Sequence, residues 1–319
     1  MAEMQGPPPN PLFLERMGRI QTAIHCGTPD RVPLSLVLDT FACNTVGVKY
    51  SEFCADLDVA GQTMLAATEK LGDVDSVQWA TYAPAVLGML WLAPMKLPGR
   101  DLPEDSLWQL DEQVRIEAAD YDRIMEMGWG PWFGQYIGKY LGEAAAAGAA
   151  LQEKAPRWVG EFMGRGYVVF SAATVDHPYE HLCGGRTIQE FTMDLFTRPD
   201  KVQAAMDAIV ADKREQTRQM VRAIGPVGYW VGSWRTAPQF LSPKPWDRFV
   251  WPYMKELVEI VAEEGGIPTL GTTDEVKAYC DRLLTEVGPD GFIMAMGCAL
   301  PPNARFENVK AIVDSVQGR

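Results

Sequence analysis

The 319-residue chain is short of positive charge, of paired cysteines and of long apolar runs, and each shortage removes a class of protein. Lysine and arginine number 29 against 42 acids, a formal net charge of −13. Such a surface repels phosphate backbones, so nucleic acid is not an expected partner. The six cysteines, Cys26, Cys43, Cys54, Cys183, Cys280 and Cys298, form no CxxC pair and no regular spacing. That argues for a reducing compartment and against a disulfide framework. No apolar run approaches the roughly 18 residues of a membrane helix. The opening MAEMQGPPPN lacks the basic and apolar regions of a signal peptide. Residues 1–10 therefore read as a disordered lead, and the expected location is cytoplasmic. No GxGxxG follows the first strand, so a dinucleotide fold loses its main support. No internal repeat and no linker is visible, and residues 11–319 read as one domain, of a size usual for a single α/β barrel.

What is there is an alternation of strand and helix. Asn10-Pro11 supplies a cap and a first-turn proline for a helix ending near Gly27. Residues 31–38 (RVPLSLVL) read as a buried strand, 51–71 as a helix stopped by Gly72, and 74–79 as a second strand. Residues 80–117, rich in Pro, Gly and Trp, read as an excursion over one end of the sheet that holds a small hairpin. Helices follow over 120–166, a third strand over 167–173, helices at 186–198 and 200–224 split by Pro199, and a fourth strand at 227–231. Ser242-Pro243 starts a helix to Glu264, Thr272 and Glu275 form a capping-box pair, 291–296 is a strand, and 305–316 is the last helix. Such alternation implies parallel strands with right-handed crossovers, in a doubly wound sheet or a barrel.

Four segments carry a resemblance. They are RIQTAIHCGTPDRVPLSL (19–36), HPYEHLCGGRTIQEFTMDLFTRPDKV (177–202), FLSPKPWDRFVWPYMKELVEIV (240–261) and TLGTTDEVKAYCDRLLTEVGPDGFIMAMGCALPPNARFENVKAIVDSV (269–316). Together they resemble the uroporphyrinogen decarboxylase superfamily. The last is the most specific, because Gly-Cys, Pro-Pro-Asn and Glu-Asn-Val-Lys in succession are similar to the branch of corrinoid-dependent methyltransferases. The resemblance implies a TIM-type (β/α)8 barrel with its site at the C-terminal ends of the strands. Counting strands finds four before residue 232, one after 290 and a stub at 267–270, where a barrel has eight. About two βα units, or roughly 60 residues, are lacking around strands 5–7. The family's text between Pro268 and Thr272 is not there, and with it goes the His-x-Cys pair that the resemblance places at the end of the fifth strand.

The strand ends nominate site residues. Asp39 follows the first strand, Trp79 and Tyr82 the second, Asp176 and His177 the third, Trp234 and Arg235 the fourth, and Cys298 the last. Asp39, His177 and Arg235 are candidates for catalysis, and Trp79, Tyr82, Asp176 and Trp234 for substrate binding. Cys298 matches the family's last zinc ligand. Each has a plainer reading: an Asx turn for Asp39, rim packing for His177 with His181 and Cys183, a salt bridge and loop anchor for Trp234-Arg235, and a small core residue for Cys298. Cys280 reads as core. The tryptophans and methionines of 78–134 read either as a pocket roof or as core.

Members of the family that decarboxylate are expected to carry arginines after strand one and an aspartate after strand two. This chain has DTFACN and QWATYAP at those places. The leading expectation is therefore zinc-assisted methyl transfer between a corrinoid, carried by a partner protein, and a thiol or methylated small molecule. Two alternatives stand beside it: a carboxy-lyase acting on a pyrrole acid, and a non-catalytic member that binds a tetrapyrrole or corrinoid.

Overall fold

A computed structural model describes residues 10–225, 228–232, 234–236, 240–269, 291–295 and 299–317. The sequence reading has one domain. By its internal contacts the chain divides into two compact units: Met1–Tyr82, Leu151–Phe170 and Gly271–Arg319 form one, and Ala83–Ala150 and Ser171–Leu270 the other. Each has its own apolar core.

In the first unit, helix α1 (Pro11–Ile24) begins as its sequence predicts, with the Asn10 side chain accepting the Leu12 N–H. Strands β1 (Leu34–Leu36), β2 (Ser76–Val77), β5 (Val168–Val169) and β9 (Met294–Ala295) pair in parallel in the order β5-β2-β1-β9. Leu34, Leu36, Val77 and Met294 all join the core that also holds Met64 and Leu71 of helix α4 (Leu57–Leu71) and Val309 and Ile312 of the last helix, Phe306–Gln317. The alternate positions Ser35 and Ser76 stand opposite each other, and both are buried. Strands buried on both faces belong to parallel sheets covered by helices.

The helix expected over 51–71 is two helices, α3 (Tyr50–Ala55) and α4. Asp56 takes an extended conformation between them and accepts the N–H groups of Asp58 and Val59, so a local cap wins over helix continuation. A further short helix, α2 (Phe41–Val46), follows β1.

The N-terminal ends of β1 and β2 are joined by charge. The Asp75 side chain is fully buried. Its Oδ1 accepts from Arg19 Nη1 at 2.5 Å and Arg31 Nη2 at 3.0 Å, and its Oδ2 from Arg31 Nη1 at 2.6 Å and the Leu34 N–H at 2.8 Å. Arg19 also forks onto Asp30, with both contacts at 2.6 Å. The Thr-Pro-Asp-Arg turn of the sequence is therefore one half of an ion network, and Asp75 is the other half.

In the second unit, β6 (Ser171–Asp176), β7 (Gly228–Gly232) and β8 (Ile267–Thr269) pair in parallel in that order. The third predicted strand is thus two pieces, β5 and β6, separated by Phe170, where the pairing partner changes from β2 to β7. The 80–117 excursion contains the expected hairpin, β3 (Met95–Lys96) against β4 (Gln109–Leu110) with Met95 opposite Leu110, and also helix α5 (Leu87–Trp91). Helices α6 (Asp120–Met127), α7 (Trp129–Tyr140) and α8 (Gly142–Gly164) follow.

The helix expected at 186–198 is α10 (Ile188–Thr197), and a further helix, α9 (Pro178–Arg186), precedes it. Thr187, at φ +72°, separates them, and its hydroxyl accepts the Glu190 N–H. Pro199 opens α11 (Pro199–Ile224) as predicted. The predicted 243–264 helix divides at Val250 into α12 (Pro243–Phe249) and α13 (Trp251–Glu263).

The C-terminal strand lies beside the N-terminal one, the neighbour relation that a barrel requires. Among the described residues no pairing joins β8 to β9, so these pairings do not close a barrel. The shortened stretch after Pro268, together with Cys280 and the capping-box pair Thr272 and Glu275, lies outside the described residues from 270 to 290.

Truncating Asp75 to Ala leaves two buried arginines without their shared acceptor. The expected loss is about 3–5 kcal/mol, measured by urea unfolding. A loss under about 1 kcal/mol, the value of an exposed pair, would show that the network does not hold the strand ends.

Candidate functional site

The nominated residues fall on both units. In the first, Asp39 closes the turn between β1 and α2. Its backbone sits at φ +42°, a left-handed conformation uncommon outside glycine. The residue is 5% exposed, and its Oδ1 has no hydrogen-bond partner among the described residues. Burial raises its carboxyl from 3.8 to about 7, opposed by the Thr40 N–H. Strain and an unpaired buried oxygen at one residue exceed what a simple Asx turn needs.

Close by in sequence on β2 and just past it, Ser76 Oγ and Gln78 Oε1 are also buried without partners. Gln78 gives the other end of its amide to Ser35 Oγ at 3.2 Å. Trp79 and Tyr82 follow, their rings 6.1 Å apart, with Phe53 6.3 Å from Tyr82. Burial pushes the Cys54 thiol up to about 12 and Cys43 higher still, so neither is a nucleophile at neutral pH.

In the second unit, the nominated residues form one neighbourhood around α9, but their roles differ from those expected. His177 was a candidate proton donor. Its Nδ1 accepts the Tyr179 N–H at 3.0 Å and its Nε2 donates to the Val250 carbonyl at 3.0 Å. With both nitrogens bonded to backbone, and burial lowering its pKa to about 4, His177 serves as the cap of α9.

Arg235 was the third catalytic candidate. It is ion-paired to Glu112 at 2.9 Å, and its backbone N–H, like that of Trp234, donates to Glu180 Oε1 at 2.7 Å. Glu180 is fully buried and takes the Trp91 indole N–H on its other oxygen. This carboxylate fastens the loop after β7 to α9, so the loop-anchor reading describes Trp234 and Arg235. Trp234 stacks on Trp230 and meets Trp91 edge-on. Gly184 permits the arrangement: a Cβ there would lie 2.0 Å from the Trp91 carbonyl oxygen.

Asp176, the last residue of β6, faces a partner absent from the sequence reading. Lys213 Nζ of α11 is 3.9 Å from its Oδ2, and the side chains are 11% and 29% exposed, respectively. Burial drives both toward neutrality, raising the carboxyl and lowering the ammonium. His181 gives Nδ1 to the Leu90 carbonyl at 2.8 Å, while among the described residues its Nε2 is buried without a partner. Burial keeps it neutral.

Lys213 had a sequence signal. It stands on α11 in register with Met206, Ile209, Val210 and Thr217, all buried, where an apolar residue is expected. Glu180 had one too, as an acid within an otherwise buried helix.

The aromatic residues of α7 are core: Trp129, Trp132 and Tyr136 are buried and stack in series, and the His181 ring lies tilted against Trp129 at 5.0 Å. A groove of about 500 Å³ runs along the same helix, lined by Trp132, Tyr136, Tyr140, Arg115 and Lys139 among others. Among the described residues no three His, Cys, Asp or Glu side chains are grouped to hold a metal ion. Cys298, the expected ligand, lies outside them. No helix among the described residues is long and apolar enough to cross a membrane.

Parallel strands under helices, with under-satisfied polar groups at the C-terminal ends of β1 and β6, define an α/β protein of the kind that binds ligands at strand ends. The sequence profile of the uroporphyrinogen decarboxylase (URO-D) family matches residues 267–319. A methyltransferase from Methanosarcina mazei has a similar fold, with a TM-score of 0.60 at 12% identity, covering 94% of this chain and 97% of that one. No curated protein matches. The profile match spans 53 of the 319 residues, and the shared fold at 12% identity speaks for architecture alone.

Asp39 generates a pH signature. A carboxyl at 3.8 unfolded and about 7 folded makes the native state hold a proton that the unfolded chain has lost. Stability from this group is present below pH 3.8 and declines as pH rises to about 7, by up to roughly 4 kcal/mol at 1.36 kcal/mol per unit. Asp39→Asn is expected to melt with the wild type near pH 4 and above it at pH 8. Equal melting at both would place Asp39 in an ordinary hydrated site.

Proposed function

We propose that the chain is a methyl-group transferase of the uroporphyrinogen decarboxylase-like class. It moves a methyl group between a small methylated molecule or thiol and a corrinoid carried by a partner protein. The observation that carries this reading is the fold shared with a methanogen methyltransferase over 94% of the chain. It is joined to the Gly297-Cys298 and Pro301-Pro302-Asn303 pattern inside the family match. The proposed architecture is a TIM-type barrel, supported by the pairing of β9 with β1.

Methyl transfer out of an amine, ether or thioether leaves a group that takes up a proton. Asp39, with a carboxyl near neutrality and an unpaired Oδ1, is the group proposed to supply it. Zinc, when bound, supplies Lewis-acid activation of the sulfur, oxygen or nitrogen that bears the methyl, with Cys298 as the ligand the family pattern implies. The described residues offer no completed ligand set.

The same poised acid favours a second reading, a carboxy-lyase in which Asp39 protonates the carbon that loses carbon dioxide. An assay with reduced cobalamin, zinc and a panel of methylated amines, methoxyarenes and thioethers separates the two. Methylcobalamin should accumulate, Cys298→Ser should abolish it, and Asp39→Asn should slow it by about 10²-fold or more. Release of carbon dioxide from a pyrrole carboxylate without methylcobalamin would replace the first reading with the second.

A further inference from the structure

Lys213 is out of place by the rules that built its helix. Buried positions on α11 recur as Val202, Met206, Ile209, Val210, Thr217 and Val221, and Lys213 stands in that stripe with 11% of its side chain exposed. Removing an ammonium from water is unfavourable unless it gains close partners. Among the described residues its ion partner is Asp176 at 3.9 Å, beyond hydrogen-bond length. The Trp129 ring lies 6.0 Å from Nζ, too far for more than a weak cation–π contact.

A second buried polar group shares the neighbourhood. The His181 ring lies tilted against the same Trp129 ring at 5.0 Å, and among the described residues its Nε2 has no partner. Lys213 and His181 thus lie near one indole, and Lys213 also faces Asp176 at the end of a parallel strand, where barrels and open sheets place ligands.

We propose that Lys213 and Asp176 form a binding site for the carboxylate of a small organic acid. The Lys213 ammonium donates to one carboxylate oxygen and the protonated Asp176 carboxyl donates to the other, so the site stays close to neutral overall when occupied. Burial raises the Asp176 carboxyl above its ordinary range, in the direction this contact needs. The proposal is independent of methyl transfer, because it assigns a carboxylate anchor in the second unit and no chemistry.

The test uses the full chain with benzoate and its neutral isostere benzamide, measured by calorimetry, and melting temperatures of the variants. Benzoate is expected to bind and benzamide to bind at least tenfold more weakly. Lys213→Met should lose benzoate binding by tenfold or more while melting no lower than the wild type, since methionine suits the apolar stripe. Lys213→Arg and Asp176→Asn, which keep a donor at each place, should retain binding.

A wild type that binds benzamide as tightly as benzoate, or that binds neither, would overturn the proposal. So would a Lys213→Met variant that binds benzoate unchanged. If Lys213→Met melts well below the wild type, Lys213 is a structural cation and the proposal fails on that ground.

Discussion

The buried carboxylate of Asp75 organises the first unit. It accepts two arginines, one from α1 and one from the turn before β1, and also the backbone N–H of Leu34. A charge at zero exposure is tolerable only when every lone pair is used, and here the partners come from the three elements that must be brought together for β1 to lie beside β2. Once that register is set, Ser35 faces Ser76, Leu36 faces Val77, and β9 can add to the free edge of β1.

The two ends of these strands differ in kind. At the N-terminal end of β2, Asp75 is saturated with donors. At the C-terminal end of β1, Asp39 is strained and has an unpaired oxygen. In the second unit the end of β6 repeats the condition, with Asp176 and Lys213 near each other but not bonded and His181 Nε2 unpaired among the described residues. Charge that is fully paired stabilises a fold. Charge that is buried and left under-paired makes the fold less stable and keeps affinity for something else. That asymmetry is the physical content of the rule that barrels are stabilised at one end and react at the other.

Much of the architecture was legible in the sequence, because caps and periodicity act over a few residues. Asn10-Pro11, Pro199 and Ser242-Pro243 start helices where predicted, and the strand at 228–232 lies within one residue of its expected span. The misses are of one type. Asp56 and Val250 interrupt helices that periodicity alone would continue, and in the first case a side chain caps the next helix locally. The division of the third strand at Phe170 had no local signal, since it reflects a change of pairing partner.

Residue chemistry at the site was fixed on two levels. The sequence by itself determined which chemically able residues follow the strands, because strand and helix alternate with a period that can be counted. It also determined the family pattern at the C-terminus, which resides in contiguous residues. Only the tertiary structure decided what those residues do. His177 became a cap because the Tyr179 N–H and the Val250 carbonyl, 73 residues away, each claimed one ring nitrogen. Arg235 became an anchor because Glu112 and Glu180 reached it from two other segments. Lys213 gained its position through Asp176, 37 residues earlier (213 − 176). A pKa or an unpaired hydrogen bond depends on the groups that folding brings within a few ångströms, and the spacing along the chain does not specify those distances.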